Sequence, residues 1–217
     1  MTTLHGYWRS GTSYRLRIAL NLKGIAFDQV PVNLKDGEQR QADYKRLNPQ
    51  GLVPLLDIDN VQLIQSPALL EYLDETHPEP PLLPGSPVDR ARIRAYAAVI
   101  GCDIHPLQNL RVLQFIRTEH EQDGDGVSAW AQRWIKDGFT ALEAMVAADD
   151  RGGPYLWGAQ PTLADIYLVP QMYNARRFGV DLVAFPRLVA ADEAARAHPA
   201  FEAAKPENQP DAPEDGH

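Results

Sequence analysis

The segment 78–87 restricts the possible folds of this chain more than any other, because five of its ten residues are proline. Proline has no backbone N–H and a fixed φ, so the segment cannot continue a helix or run through the centre of a sheet. It therefore predicts a stiff linker and a domain boundary. The hydrophobic periodicity changes at the same place, from strands alternating with helices to helices alone.

An α/β domain is predicted over residues 1–84, where short apolar runs alternate with helical patterns. The first strand, helix and second strand favour a parallel βαβ unit. Asp59-Asn60 is a turn pair typical of an antiparallel hairpin. The elements predicted after the first strand are a helix from Thr12 or Ser13 to Lys23-Gly24, a strand over 26–32, a helix over 39–47, strands over 53–58 and 61–64, and a helix over 66–76.

Residues 88–204 are predicted to form an all-helical domain. The helices are expected over 88–120, 126–149, 162–178 and 185–203. At the start of the third, Thr162 and Asp165 have the spacing of a capping box, which is a folding signal and not a catalytic one. Residues 205–217 contain three prolines, four acidic residues and no large apolar one, which predicts a disordered tail.

Composition excludes several classes of function. Lysine and arginine number 21 against 29 aspartates and glutamates, and a net charge of −8 argues against a general binder of nucleic acid or anionic membranes. No run approaches the roughly 20 apolar residues of a membrane span, and the start lacks a secretory pattern, so we expect a cytoplasmic protein. With Cys102 as the single cysteine and six scattered histidines, we expect no metal site and no intramolecular disulfide.

Small hydroxyl residues stand where the first strand gives way to the first helix, in the run Tyr7-Trp8-Arg9-Ser10-Gly11-Thr12-Ser13. The N–H groups and the positive dipole end of that helix would meet Arg9, Ser10 and Thr12, and this favours an anion site. The alternative is a well-capped junction that binds nothing.

Two further motifs offer binding groups. An X-Pro bond at Val53-Pro54 can be cis, which would free the Val53 amide and carbonyl for a ligand, and the alternative is a trans proline on an edge strand. In Gln65-Ser66-Pro67, Ser66 is expected to be the N-cap of a helix with Pro67 in its first turn. Its side chains and amides favour a bound carboxylate, and the alternative is a cap with no ligand.

In this order, the motifs resemble the thioredoxin-like domain of glutathione transferases, and the proline-rich linker and all-helical second half fit the same fold. The resemblance is to the zeta class. It covers nearly the whole chain except the tail, and the similar segments are 8–13, 15–20, 48–54, 65–67, 103–109 and 174–178. One departure is Ser10-Gly11-Thr12, where the family often has Ser-Ser-Cys. A catalytic protein thiol is therefore absent, and a dithiol mechanism is excluded because the chain has no C-x-x-C.

The resemblance implies glutathione as cofactor and assigns it a set of binding residues. Its γ-glutamyl carboxylate would bind at Gln65 and Ser66, and its cysteinyl backbone at Val53, beside Pro54. Gln50 would hold the glycyl end, with Asn109 or His105 reaching the peptide. The Ser10 hydroxyl and the helix dipole would favour the thiolate, with Thr12 or backbone amides as the alternative group.

The resemblance further implies a cis–trans isomerase of a maleyl-type keto diacid, either maleylacetoacetate or maleylpyruvate, in the breakdown of aromatic compounds. Substrate carboxylates need bidentate cations, for which Arg9, Arg111 and Arg177 are the candidates, with Arg176 as the rival of Arg177. Arg9 would also stabilise the developing enolate. A homodimer is implied as well. Two alternatives remain open, namely a general conjugating or dehalogenating transferase, and a non-catalytic interaction module.

Overall fold

The computed structural model describes residues 1–213 and divides into two compact units. The first combines Met1–Pro81 with Ala197–His217, and the second is Leu82–Arg196. The first contains a four-stranded mixed sheet with helices and the second is helical, so the predicted fold class is confirmed. Among residues 1–213, no helix combines the length and apolar character that crossing a bilayer requires.

The sheet of the first unit has the strand order β2-β1-β3-β4. β1 pairs in parallel with β2 and antiparallel with β3, which pairs antiparallel with β4. The parallel pair confirms the predicted βαβ unit. The elements are β1 (Thr3–Gly6), α1 (Gly11–Leu22), β2 (Asp28–Pro31), α2 (Ala42–Leu47), β3 (Leu55–Ile58), β4 (Val61–Ile64) and α3 (Ser66–Thr76).

Turn chemistry fixes several of these boundaries. Asp59 and Asn60 have φ of 52° and 63°, as the two-residue hairpin between β3 and β4 requires, which confirms the predicted turn. β3 begins only after Pro54, because proline has no N–H to donate to a neighbouring strand. The helix predicted over 39–47 is interrupted at Gln41, whose extended backbone separates a short 3₁₀ turn from α2.

Helix α1 is buried over eight consecutive residues, from Ser13 to Leu20. Helix α3 contacts it, and Leu16, Ile18 and Leu20 are fully buried. The helix ends as predicted, with Lys23 as C-cap and Gly24 in the left-handed region at φ 66°. Burial around the whole circumference makes α1 the centre of the first unit.

The second unit is built from α4 (Pro87–Ala98), α5 (Leu110–Glu119), α6 (Gly124–Asp149), α7 (Leu163–Arg177) and α8 (Pro186–Arg196). The single helix predicted over 88–120 is wrong, because a π-helical turn and a 3₁₀ turn separate α4 from α5. Pro106 lies in the second of these turns and cannot donate an α-helical hydrogen bond. Asn109 then caps α5, its side chain accepting from the Arg111 N–H.

The predicted capping box at the start of α7 is confirmed. The Asp165 carboxylate accepts from the Thr162 N–H at 2.8 Å and from the Leu156 N–H at 2.9 Å. Burial raises the pKa of Asp165 to about 6, although these hydrogen bonds oppose the shift. This carboxylate joins the loop before α7 to the helix and stabilises the second unit.

The C-terminal part of the chain differs from its prediction. The helix expected over 185–203 ends at Arg196, and α9 (Pro199–Ala204) follows, capped by His198. Helix α9 contacts α1, so residues from Ala197 onward belong to the first unit and not to the helical domain predicted over 88–204. The expected disordered tail is wrong for 205–213, and its remainder, 214–217, lies outside the described residues. Gln209 is buried and donates to the carbonyls of Ala203 and Lys205, which satisfies the end of α9.

Candidate active site

The loop between β1 and α1 is a tight turn. The Ser10 N–H donates to the Tyr7 carbonyl at 3.0 Å, with Trp8 and Arg9 between them. The Trp8 ring is 2% exposed, and the Arg9 guanidinium carbon lies 5.1 Å from its centroid. Arg9 is partly exposed and directly precedes Ser10 in the chain, and its guanidinium lies over the Trp8 ring.

Ser10 is the N-cap of α1, and the prediction of Thr12 or Ser13 in that role is wrong. The Ser10 Oγ accepts from the Ser13 N–H at 3.3 Å. Ser13 cannot be the cap because its hydroxyl is buried and accepts the Tyr7 N–H at 3.4 Å. The hydroxyl of residue 10 therefore lies at the positive end of the α1 dipole.

Three oxygens form a chain at this point. The Thr12 Oγ1 donates to the Val53 carbonyl at 3.0 Å and lies 2.9 Å from the Ser10 Oγ. Because the single Thr12 proton goes to Val53, the Ser10 hydroxyl is the donor to Thr12. The Val53–Pro54 peptide is cis, which agrees with the first of the two alternatives, a cis bond, and not with a trans proline on an edge strand. The Val53 carbonyl accepts one hydrogen bond from Thr12, and the second lone pair of its oxygen leaves it able to accept another from a ligand.

The start of α3 lies in the same unit. Gln65 is its N-cap, with φ 72°, and makes no side-chain capping hydrogen bond, so the prediction of Ser66 as the cap is wrong. Ser66 is instead the first helical residue, and its buried hydroxyl accepts from Arg15 Nη1 at 3.5 Å. The first turn of α3 therefore has no side-chain cap among the described residues, which leaves it suited to a bound carboxylate.

The loop before Pro54 reaches this helix start through one side-chain hydrogen bond. Gln65 Nε2 donates to Gln50 Oε1 at 2.5 Å, and both side chains are exposed. The loop is held from behind by buried Asn48, which donates to the Leu52 carbonyl at 2.7 Å. Through Thr12 to Val53 and Arg15 to Ser66, α1 is bonded to both the Pro54 loop and α3.

Comparison with known proteins identifies the family. The glutathione S-transferase N-terminal domain model matches residues 1–75. A maleylacetoacetate isomerase of Pseudomonas aeruginosa is 50% identical over 97% of this chain and 98% of its own length. A holo structure titled maleyl pyruvate isomerase, "a bacterial glutathione-s-transferase in Zeta class", is 49% identical, with TM-score 0.95 over 96% of this chain and 99% of its own. The chain belongs to the zeta-class glutathione S-transferases.

A further relative has been solved with ligands bound. Maleylacetoacetate isomerase from Anaeromyxobacter dehalogenans 2CP-1 is 45% identical in its structure with bound GSH, with TM-score 0.87 over 98% of each chain. A second structure of that protein holds dicarboxyethyl glutathione and citrate in the active site.

The remaining site candidates of this zeta-class transferase lie in its second unit. His105 opens the 3₁₀ turn before α5, and Asn109 is the N-cap of α5. Arg111 is exposed in the first turn of that helix.

At the end of α7, the two adjacent arginines differ. Arg176 forms an ion pair with the fully buried carboxylate of Asp192, which Arg196 also contacts. Arg177 is exposed, and its guanidinium carbon lies 4.5 Å from the Phe178 ring centroid. The ion pair gives Arg176 a structural role.

Sequence reasoning missed two residues next to this site, Arg17 and Asp211. Arg17 is 1% exposed and donates to the Trp8 carbonyl, and Asp211 accepts the Trp8 N–H. The signal for Arg17 was available, because it stands between the apolar residues Leu16 and Ile18 in the first predicted helix. Asp211 gave no such signal, since it lies 203 residues from its partner.

Proposed function

We propose that this zeta-class transferase uses glutathione to isomerise a cis maleyl-type keto diacid, maleylacetoacetate or maleylpyruvate, to its trans fumaryl isomer. The observation that carries the proposal is the Ser10 hydroxyl at the N-terminus of α1, where it can donate a hydrogen bond to an anion. The names of relatives about half identical to this chain support the same reaction.

The described residues fit glutathione. The uncapped first turn of α3, with Gln65 and Ser66, suits a carboxylate, and Gln50 adds an exposed amide next to Gln65. The Val53 N–H suits a peptide carbonyl of the ligand, and the Val53 carbonyl, which accepts from Thr12, has a second lone pair for a peptide N–H. His105 and Asn109 stay proposed contacts from the second unit. The GSH bound by an isomerase 45% identical to this chain supports the assignment.

When bound, glutathione supplies a thiolate that adds reversibly to the activated double bond, so that rotation about the resulting single bond precedes its expulsion. A free thiol with a pKa of about 8.5 is only a few per cent ionised at pH 7. The Ser10 O–H and the positive end of α1 stabilise negative charge near them and so favour the ionised sulfur. Without an anion the Ser10 O–H donates to Thr12 at 2.9 Å, and it turns from Thr12 toward the sulfur when the thiolate binds.

Arginine side chains are the proposed partners of the substrate carboxylates and of the developing enolate. Arg9 is assigned first, because it is partly exposed, directly precedes Ser10 in the chain and lies over the Trp8 ring. A guanidinium binds a carboxylate with two parallel hydrogen bonds, which an ammonium cannot do. Arg111 and Arg177 are proposed as further carboxylate ligands, while Arg176 is retained only as a weaker candidate because it pairs with Asp192.

The decisive experiment compares three reactions of the purified protein with glutathione, namely isomerisation of maleylacetoacetate, isomerisation of maleylpyruvate, and conjugation of a chlorinated aromatic. We expect isomerisation to exceed conjugation by at least about a hundredfold in kcat/KM, since several arginines disfavour an apolar electrophile. Faster conjugation would replace the proposal with a general or dehalogenating transferase. An absence of glutathione binding by calorimetry would point to an interaction module.

The proposed setting is a cytoplasmic homodimer that acts in the breakdown of aromatic compounds. A neighbouring gene for a homogentisate or a gentisate dioxygenase would distinguish the two substrates. Light scattering that gave the mass of a single chain would contradict the dimer.

A further inference from the structure

Both backbone polar groups of Trp8 are bound by charged side chains, one nine residues and the other 203 residues away in the sequence. The Trp8 N–H donates to Oδ2 of Asp211 across 2.9 Å, and the Trp8 carbonyl accepts from Nη2 of Arg17 at 2.8 Å. We call these three residues the Trp8 clamp. Because Trp8 directly precedes Arg9 and Ser10, the orientation of its two peptide planes determines where those residues lie.

Arg17 is held as firmly as the residue it binds. Its Nε donates to the carbonyl of Ala204, the last residue of α9, at 2.9 Å, and its guanidinium carbon lies 5.4 Å from the Tyr14 ring centroid. Burial lowers the pKa of Arg17 to about 10, and the charges of Tyr14 and Asp211 oppose that shift. Arg17 therefore stays protonated at neutral pH, with the negative charge of Asp211 near it.

Asp211 comes from an ordered segment. The buried Gln209 two residues earlier receives a hydrogen bond from Gln29 of β2 at 2.9 Å, and its carbonyl accepts the Ala212 N–H at 3.0 Å. A 3₁₀ turn over Pro206–Asn208 connects this segment to α9. The carboxylate is thus presented to Trp8 by a structured piece of chain.

We infer that Asp211 and Arg17 are positioning residues, which set the places of Arg9 and of the Ser10 hydroxyl by binding the N–H and carbonyl of Trp8. This inference depends on the proposed roles of Arg9 and Ser10, whereas the hydrogen bonds of the clamp lie entirely within the first unit. It gives the C-terminal segment a function in the active site, through contacts that touch neither substrate nor cofactor.

The first test is made on the full chain without ligand, so that its outcome does not depend on glutathione. Hydrogen exchange of the Trp8 amide is measured in the wild type and in Asp211→Ala, Asp211→Asn and Glu207→Ala. Glu207 is exposed in the same segment and serves as the matched control. We expect exchange about tenfold faster in Asp211→Ala. The rate should be near that of the wild type in Asp211→Asn, whose amide oxygen still accepts the N–H, and unchanged in Glu207→Ala.

The second test measures the ionisation of bound glutathione by its thiolate absorbance against pH, together with kcat and KM. In Asp211→Ala we expect the titration midpoint of the bound glutathione thiol to rise by about half a pH unit or more, and kcat to fall at least threefold. Asp211→Asn should restore most of both quantities. A merely structural role would lower the melting temperature and leave the thiol midpoint unchanged.

The outcomes separate the clamp from the proposed function. Unchanged Trp8 exchange in Asp211→Ala would overturn the clamp, and so would faster exchange with a wild-type thiol midpoint. If Asp211→Ala does not fold, Arg17→Lys tests the carbonyl side of the clamp by the thiol titration midpoint and kcat, because lysine cannot bind both Trp8 and Ala204 as the guanidinium does; wild-type values there would overturn the positioning role. A wild type that binds no glutathione would overturn the proposed function, and with it the role in positioning a thiolate, while the exchange data still decide whether the clamp exists.

Discussion

Thr12 is the acceptor, and not the donor, in its 2.9 Å contact with the Ser10 hydroxyl, because its own proton goes to the Val53 carbonyl. To donate to a thiolate, Ser10 must turn its O–H away from Thr12. The cost of that turn is one neutral hydrogen bond, about 1 kcal/mol, and the charge-assisted bond gained is worth more. The site can therefore respond to an anion by the rotation of a single proton.

Ser10→Ala is expected to lower kcat at least about tenfold and to change the affinity for glutathione little, because it removes a donor to the sulfur and leaves the other contacts. It also removes the N-cap of α1, which costs about 1 kcal/mol of stability. Steady-state kinetics and calorimetry measure the two effects. Ser86→Ala, which removes the N-cap of α4, is the matched control for the loss of a cap and should leave kcat unchanged.

Arg9→Lys is expected to raise the KM for the diacid by about tenfold, with a smaller change in kcat, because lysine loses the two-pronged contact with a carboxylate. Arg46→Lys is the control, since Arg46 forms an exposed ion pair with Asp43 in the same unit. Saturation kinetics in the diacid give both values. Equal KM in the wild type and Arg9→Lys would remove Arg9 from substrate binding.

Arg176→Ala and Arg177→Ala should separate stability from binding. Loss of Arg176 leaves the buried carboxylate of Asp192 with Arg196 alone, and we expect a loss of about 1–2 kcal/mol in the free energy of unfolding. Arg177→Ala should raise the KM for the diacid severalfold with little loss of stability. Urea unfolding and kinetics on both variants test this, and the reverse pattern would make Arg176 the ligand.

The titration of Asp165 predicts a pH-dependent stability. Its pKa of about 6 in the folded chain exceeds the value near 3.9 of an unfolded one, so the folded state binds the proton more tightly. Tighter proton binding stabilises the folded state. This stabilisation is fully present below about pH 4 and is lost as the pH rises through 6. Asparagine does not titrate, so it removes this pH dependence. The free energy of unfolding of the wild type minus that of Asp165→Asn should therefore be about 2 kcal/mol larger at pH 4 than at pH 8.

Asp89→Asn supplies a control of opposite sign. Asp89 occupies the same position in the capping box of α4, and hydrogen bonds from Ser86 lower its pKa. The ionised Asp89 carboxylate stabilises the folded state above its unfolded pKa, and this stabilisation is lost as the pH falls. The free energy of unfolding of the wild type minus that of Asp89→Asn should therefore increase with pH. The same trend in both variants, measured by urea unfolding, would contradict the assignment.

Local chemistry predicted those features whose partners are close in the sequence. The hairpin turn at Asp59-Asn60, the end of α1 at Gly24 and the capping box at Thr162 each depend on a few neighbouring residues. The N-cap of α1 could not be chosen in this way, since three hydroxyl residues compete. Thr12 is excluded as the cap because its hydroxyl donates to the carbonyl of Val53, which is 41 residues away in the sequence.

The Asp211 contact of the Trp8 clamp lay beyond prediction for the same reason. A short polar segment rich in proline has the composition of a disordered tail, and nothing near Asp211 indicates a partner 203 residues earlier. The position proposed for the site, by contrast, is a prediction from the resemblance of three motifs. The fold class was therefore accessible from the sequence, and the hydrogen bonds that orient Ser10 were not.

The return of residues 197–213 to the first unit has a practical consequence for dissecting this protein. A gene cut at the proline-rich linker would separate Arg17 from Ala204 and Trp8 from Asp211, and would leave a buried cation without its counterpart. Split-protein and domain-exchange experiments should therefore keep residues 197–213 together with residues 1–81, although the two segments are not contiguous in the sequence.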